Sequence, residues 1–191
     1  MLNYFRQAFE MMATEGVGPE NSRLRLKDIE TLDLYGNRGA AGFRCAARLD
    51  PQGEVARAVT LRFLTPTELK AGGHVVEEPE FRHLFARIRD RIAMLSALYG
   101  AGPLSFDFQA LGERADGVVL ERSNLTWEYA NRKSKGTGQM HPLGGFTGTA
   151  EYRGTLGPFL PWLRAAQWAG VGRQTVWGKG DVRLVAVETG G

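Results

Sequence analysis

Gly170-Val-Gly-Arg-Gln-Thr-Val-Trp-Gly-Lys-Gly-Asp-Val-Arg-Leu184 joins an amphipathic helical segment to a strand-like one, and the direction of that junction decides how the chain is read. Gly170, Gly172, Gly178 and Gly180 permit positive φ and let backbone or ligand come close. The interleaved cations Arg173, Lys179 and Arg183 suit a polyanionic partner. Nucleotide and dinucleotide phosphate loops follow a strand and open a helix, whereas this one follows a helix and opens a strand, so both are excluded. A purely structural alternative is a helix C-terminal turn entering a bulged strand. A shorter echo, Gly16-Val-Gly-Pro-Glu-Asn-Ser-Arg-Leu-Arg-Leu26, also follows a helical stretch and points to a duplicated architecture.

Working outward, residues 156–168 carry Phe159, Leu160, Trp162, Leu163 and Ala166 on one helical stripe, and residues 181–187 read as the closing strand. The strongest helix is expected over residues 79–99, with Phe81, Leu84, Phe85, Ile88, Ile92, Leu95 and Leu98 on one face, Pro79 in its first turn and Gly100 as its stop. Residues 55–64 read as a strand ended by Thr65-Pro-Thr, since proline cannot donate to a ladder. Residues 118–129 and 145–152 are two further strands. The order strand, helix, strand, strand, helix, strand is the split β-α-β, ferredoxin-like (RNA-recognition-like) pattern of an α+β fold.

Before it, Leu2, Phe5, Phe9 and Met12 recur at helical spacing, residues 23–32 alternate as a strand, and residues 34–49 hold weaker strand signals broken by glycines. A helix and strand alone match only the end of such a unit. The expected organisation is therefore residues 1–50 as the tail of an incomplete N-terminal ferredoxin-like unit and residues 51–191 as a complete C-terminal one with the glycine-rich loop.

The 191 residues, 43% hydrophobic, are enough to bury a sizeable core. A net charge of +3 is too small to steer a polyanion, so steering depends on local clusters. The single cysteine, Cys45, excludes an internal disulfide framework and a cysteine-based zinc site, which fits a reducing cytoplasm. No apolar run reaches the ~18 residues of a membrane span and the first residues lack a signal-peptide layout, so a cytoplasmic protein with no membrane partner is expected.

Residues 131–142, Asn-Arg-Lys-Ser-Lys-Gly-Thr-Gly-Gln-Met-His-Pro, read as an exposed basic hairpin loop. Arg132, Lys133 and Lys135 are flanked by Trp127 and Tyr129 on one side and His141 on the other. Aromatic faces stack bases while cations hold phosphates, so single-stranded or hairpin RNA suits this pattern. A solvated turn is the alternative. None of His74, His83 and His141 forms a metal-binding spacing. His141, beside the cations, is the one candidate for a catalytic general acid or base.

The chain resembles the CRISPR-associated repeat-processing endoribonucleases of the RAMP superfamily. The resemblance is carried by Arg62-Phe-Leu-Thr-Pro-Thr-Glu-Leu-Lys70, Glu78-Pro-Glu-Phe81, residues 127–134, Leu143-Gly-Gly-Phe-Thr-Gly148 and residues 170–184. It implies two tandem ferredoxin-like units and binding of precursor CRISPR RNA. It further implies metal-independent cleavage in which a neighbouring 2′-hydroxyl attacks phosphorus, leaving a cyclic phosphate and a 5′-hydroxyl, with no cofactor. The histidine usually credited with catalysis lies early in the family's first unit, which has no counterpart in this C-terminal portion. RNA binding is thus expected at Trp127, Tyr129, Arg132, Lys133, Lys135, Gly170, Gly172, Arg173, Gly178, Lys179 and Gly180. The alternative is a non-catalytic RAMP RNA-binding subunit of a CRISPR effector complex. On either reading, CRISPR repeat RNA is the expected partner, with other CRISPR-associated subunits or a second copy as further candidates.

Overall fold

The computed structural model describes residues 2–18, 20–32, 38–39, 47–51, 53–133 and 138–189. It separates into two compact units, Met1–Ala46 and Ala47–Gly191.

The first unit opens with helix α1 (Leu2–Glu15). A turn follows, held by the backbone bridge between Val17 and Ser22. The strand expected over residues 23–32 is confined to β1 (Thr31–Leu32), which pairs with β2 (Arg38–Gly39). Alternation alone makes no strand: a ladder needs a partner edge, and residues 23–30 have none among the described residues. Most of residues 34–49, Cys45 among them, lies outside the described residues.

The second unit is built on a four-stranded sheet of β3 (Ala58–Thr67), β6 (Val119–Glu128), β9 (Gly145–Arg153) and β10 (Val182–Glu188), in the order β10-β3-β9-β6. Every neighbouring pair is antiparallel. With α2 (Phe81–Tyr99) after β3 and α4 (Leu160–Ala169) after β9, this is the ferredoxin-like arrangement. Alternation places Val59, Leu61 and Phe63 of β3 and Phe146, Ala150 and Tyr152 of β9 on one face, where all are buried. The helices cover that face with Phe81, Leu84, Phe85 and Ile88 from α2 and Leu160, Trp162 and Leu163 from α4. Their rings meet edge to face, Phe85 lying 4.7 Å from Phe159 and 5.8 Å from Trp162. Each such side chain contributes roughly 1.5–3 kcal/mol by burial.

Three local features differ from the sequence reading. First, β3 runs through Pro66 to Thr67, because the register shifts between Phe63 and Thr67 and a bulge asks no ladder hydrogen bond of proline. Second, Pro79 lies before α2, where its carbonyl accepts the Tyr152 hydroxyl at 2.8 Å. Burial pushes that hydroxyl's pKa up. Third, an additional helix, α3 (Phe108–Asp116), precedes β6, its first turn capped by the Asp107 carboxylate accepting the Ala110 N–H at 2.9 Å. Phe106 and Phe108 carry this segment onto Trp162.

Candidate nucleic-acid interface

The glycine-rich loop is a junction of three chain segments. At the end of α4, Gly170 takes φ 72° and turns the chain. Val171, fully buried, donates its N–H to the Gly180 carbonyl at 2.9 Å, and Gly180 donates in turn to the Pro66 carbonyl at 3.2 Å. The Arg173 N–H reaches the Glu68 carbonyl at 3.0 Å. A Cβ at Gly180 would collide with the Val171 carbonyl and one at Gly172 with the Glu68 carbonyl, both at positive φ. These two glycines are therefore required by close backbone packing, as in the structural alternative.

The charges of the loop converge on one buried carboxylate, Glu68, which lies within the Arg62–Lys70 stretch that carries the family resemblance but is given no role by it. Glu68 follows β3 directly, is 5% exposed, and binds Arg173 Nη1 at 2.6 Å through one oxygen and Lys179 Nζ at 3.3 Å through the other. Lys179 also donates to the Gly144 carbonyl at 2.7 Å and to Gln174 Oε1 at 3.0 Å, so its three N–H bonds are all engaged. Burial works to raise the Glu68 pKa; the hydrogen bonds and charges of Arg173 and Lys179 outweigh it and hold the carboxyl below its ordinary range.

Lys179, expected among the RNA-binding residues, has a side chain only 4% exposed and engages its ammonium with internal partners, as a tether of the loop. Arg173 keeps its side chain about half exposed, 48%, and can face a ligand while Glu68 orients it.

The same fold that forms this junction has relatives. The model of the family described as CRISPR-associated endoribonuclease Cas6 matches residues 61–182, from the middle of β3 to the first residue of β10. The chain belongs to the Cas6 family. Thermus thermophilus Cas6 is similar at 24% identity with a TM-score of 0.52, over 67% of this chain and 53% of that one. The product complex of the same Cas6 matches at 23% identity and TM-score 0.52, over 68% of this chain and 51% of that one. Another Cas6 product complex matches at 23% identity and TM-score 0.55, over 96% of this chain and 72% of that one. At these identities the likeness establishes the fold, and the chain spans about half the length of the first two, 53% and 51%. No curated protein matches it.

In this Cas6-family chain the basic segment forms a hairpin of β7 (Asn131–Lys133) and β8 (Met140–Pro142), which sets Arg132 opposite His141 in register. The side chains of Arg132, Lys133 and His141, and Lys135 altogether, lie outside the described residues. The two aromatics separate: Trp127 is half-buried and packs against the core, whereas Tyr129 is 90% exposed. A stacking face is therefore offered by Tyr129, and Trp127 anchors the hairpin's base. Because Gly144 follows the hairpin and accepts from Lys179, that base and the glycine-rich loop are joined. Gly178 is exposed at the loop's outer turn, φ 83°, with open space beside it.

On the sheet face away from the helices, the register aligns Arg183, Arg62, Thr149 and Asn124 across all four strands. Arg62 is exposed; Arg183 lies 3.3 Å from Asp181. The alternation that points Leu61 and Phe63 inward forces Arg62 outward, and its alignment with Arg183 is readable only once strand order is known. Among the described residues, no helix is long and apolar enough to cross a membrane.

Proposed function

We propose that this chain binds CRISPR repeat RNA and takes part in precursor CRISPR RNA processing by metal-independent endonucleolytic cleavage. Membership of the Cas6 family, carried by the match over residues 61–182 that includes the glycine-rich loop, is the observation that supports this most. Arg173 is held by Glu68 with its side chain half exposed, and Tyr129, just before the hairpin, is exposed. Exposed cations hold phosphates and an exposed aromatic face stacks a base, so the two residues supply the two kinds of contact a single strand needs. Arg132, Lys133 and Lys135 supply the hairpin's phosphate contacts, and Gly170, Gly172, Gly178 and Gly180 shape the loop that presents Arg173.

For the cleavage step, His141 is the proposed general acid or base, one strand across from Arg132. Proton transfer from the attacking 2′-hydroxyl and to the leaving 5′-oxygen needs a group titrating near neutral pH, which histidine supplies.

Labelled repeat RNA incubated with the chain in excess chelator tests this reading. A single cut that leaves a cyclic phosphate, and that is abolished in His141→Ala with binding retained, is the expected result. Binding without cutting would instead favour a non-catalytic RNA-binding subunit. Lys133→Ala/Lys135→Ala should weaken binding and lower the salt slope by about 0.7 for each phosphate no longer neutralised. Unchanged affinity across the titration would remove the hairpin from the interface.

A further inference from the structure

Directly after Glu68 the chain enters a second hairpin, β4 (Leu69–Ala71) and β5 (His74–Val76), turned by Gly72 and Gly73 at φ 56° and 85°. Between that turn and α2 lies a hollow of about 420 Å³ lined by Lys70, His83, Arg87 and the small residues Ala71, Gly72, Gly73 and Ala86. Its lining holds three basic side chains and no acid. A Cβ at Gly72 or Gly73 would meet nothing within 4 Å, so the turn's backbone is open to a ligand.

The charges here are only partly compensated. Lys70 is exposed and its side chain has no hydrogen-bond or ion-pair partner among the described residues. Arg87 lies 3.2 Å from Asp90, but Arg89 takes the same carboxylate at 2.8 Å, so one acid serves two guanidiniums. His83 Nδ1 is closed off from solvent with no hydrogen-bond partner. The nearest acid, Glu80, is 3.9 Å from it and is already bonded to Arg82 at 2.8 Å. On another side of the start of α2, a hollow of about 440 Å³ is lined by Glu78, Glu80 and Asp116 as well as Arg82, a setting that disfavours a polyanion.

We infer that the Lys70–His83–Arg87 hollow is a second phosphate-binding point, taking a phosphodiester of the RNA strand that passes the glycine-rich loop. The inference rests on the RNA-binding reading above. Lys70 is two residues from Glu68, about 7 Å along an extended chain, and Glu68 is the residue that orients Arg173. One short segment of the protein thus holds one cation point through its carboxylate and presents another through its lysine.

The test compares the full chain with Lys70→Ala/Arg87→Ala, two substitutions at solvent-reachable side chains, after matched urea midpoints confirm folding. Affinity for repeat RNA is expected to fall roughly tenfold at 0.1 M salt, with the salt slope lower by about 0.7 for each phosphate released. The His83 imidazole resonances should move when RNA is added to the unmodified chain and stay still in the double variant. Binding and slope unchanged in the variant would overturn the hollow alone. An unmodified chain that ignores RNA would overturn the RNA-binding reading and this assignment with it. Inorganic phosphate moving the His83 resonance at the same concentration as RNA would mark a free-phosphate site and overturn the strand assignment.

Discussion

Lys179 Nζ lies 3.3 Å from Glu68 Oε2, and both side chains are less than a tenth exposed, 4% and 7%. A lysine that sequence reasoning offers to a ligand is thus spent inside the protein, where it joins the end of β3, the base of the basic hairpin and the glycine-rich loop. The arrangement assigns different work to two neighbouring cations: Lys179 holds the loop and Arg173 faces outward from it.

Lys179→Ala removes one partner of a buried pair and also leaves the Gly144 carbonyl unanswered. Because Arg173 still neutralises Glu68, a loss of about 1–3 kcal/mol is expected by urea denaturation, from the buried acceptors left unsatisfied. A cost under about 1 kcal/mol, the range of exposed pairs, would mean that the ammonium is solvated.

Arg173→Ala should behave oppositely. With its side chain 48% exposed, its ion pair is worth about 1 kcal/mol or less to stability. RNA affinity should nevertheless fall, with a lower salt slope, in a filter-binding titration. A large stability loss with intact binding would reverse the assignment.

Gly180→Ala and Gly178→Ala share positive φ and differ in space: the first meets the Val171 carbonyl and the second meets nothing within 4 Å. Gly178→Ala should cost about 1–2 kcal/mol from backbone strain alone. Gly180→Ala should cost clearly more, and equal thermal midpoints for the two variants would contradict the close packing.

Acid should loosen the loop in a predictable window. The Glu68 pKa is held below its ordinary value of 4.5, so its stabilisation is fully present above that value. Below about pH 4.5 the unfolded chain takes up the proton first. Stability then falls, until the folded carboxyl titrates as well. Glu54, lowered chiefly by its hydrogen bonds to Arg164, contributes in the same direction. Urea midpoints measured from neutral pH down should decline below about pH 4.5, and less steeply in Glu68→Gln, once its lower starting stability is allowed for. Parallel curves for the two proteins would argue against a native Glu68 pair.

Tyr129→Ala should lower RNA affinity by roughly 1–3 kcal/mol, the worth of one stacked base, and leave the thermal midpoint unchanged because the ring is 90% exposed. Trp127→Ala should do the reverse, since that indole packs against the core.

Much of the second unit is legible in the sequence because its signals are periodic. Val59, Leu61 and Phe63 alternate, Phe81, Leu84, Phe85 and Ile88 recur at helical spacing, and burial follows both patterns. Nonlocal relationships are not legible. Pro66 reads as a stop because its bulge depends on the pairing of β3 with β9. The short helix α3 escapes the periodicity reading, although Asp107 and the stripe of Phe108, Leu111 and Ala115 announce it. Lys179 reads as a ligand group because nothing local says that Glu68, 111 residues earlier, turns inward to meet it. In the first unit, alternation over residues 23–32 meets no partner edge beyond the short β2 among the described residues.

The most direct test of the central claim is a binding titration in excess chelator of the chain against CRISPR repeat RNA and a scrambled RNA of equal length. The account predicts tighter retention of the repeat, a linear fall of log affinity with log salt, and a shallower slope in Arg173→Ala. Equal affinity for the two RNAs, or a slope that Arg173→Ala leaves untouched, would contradict it.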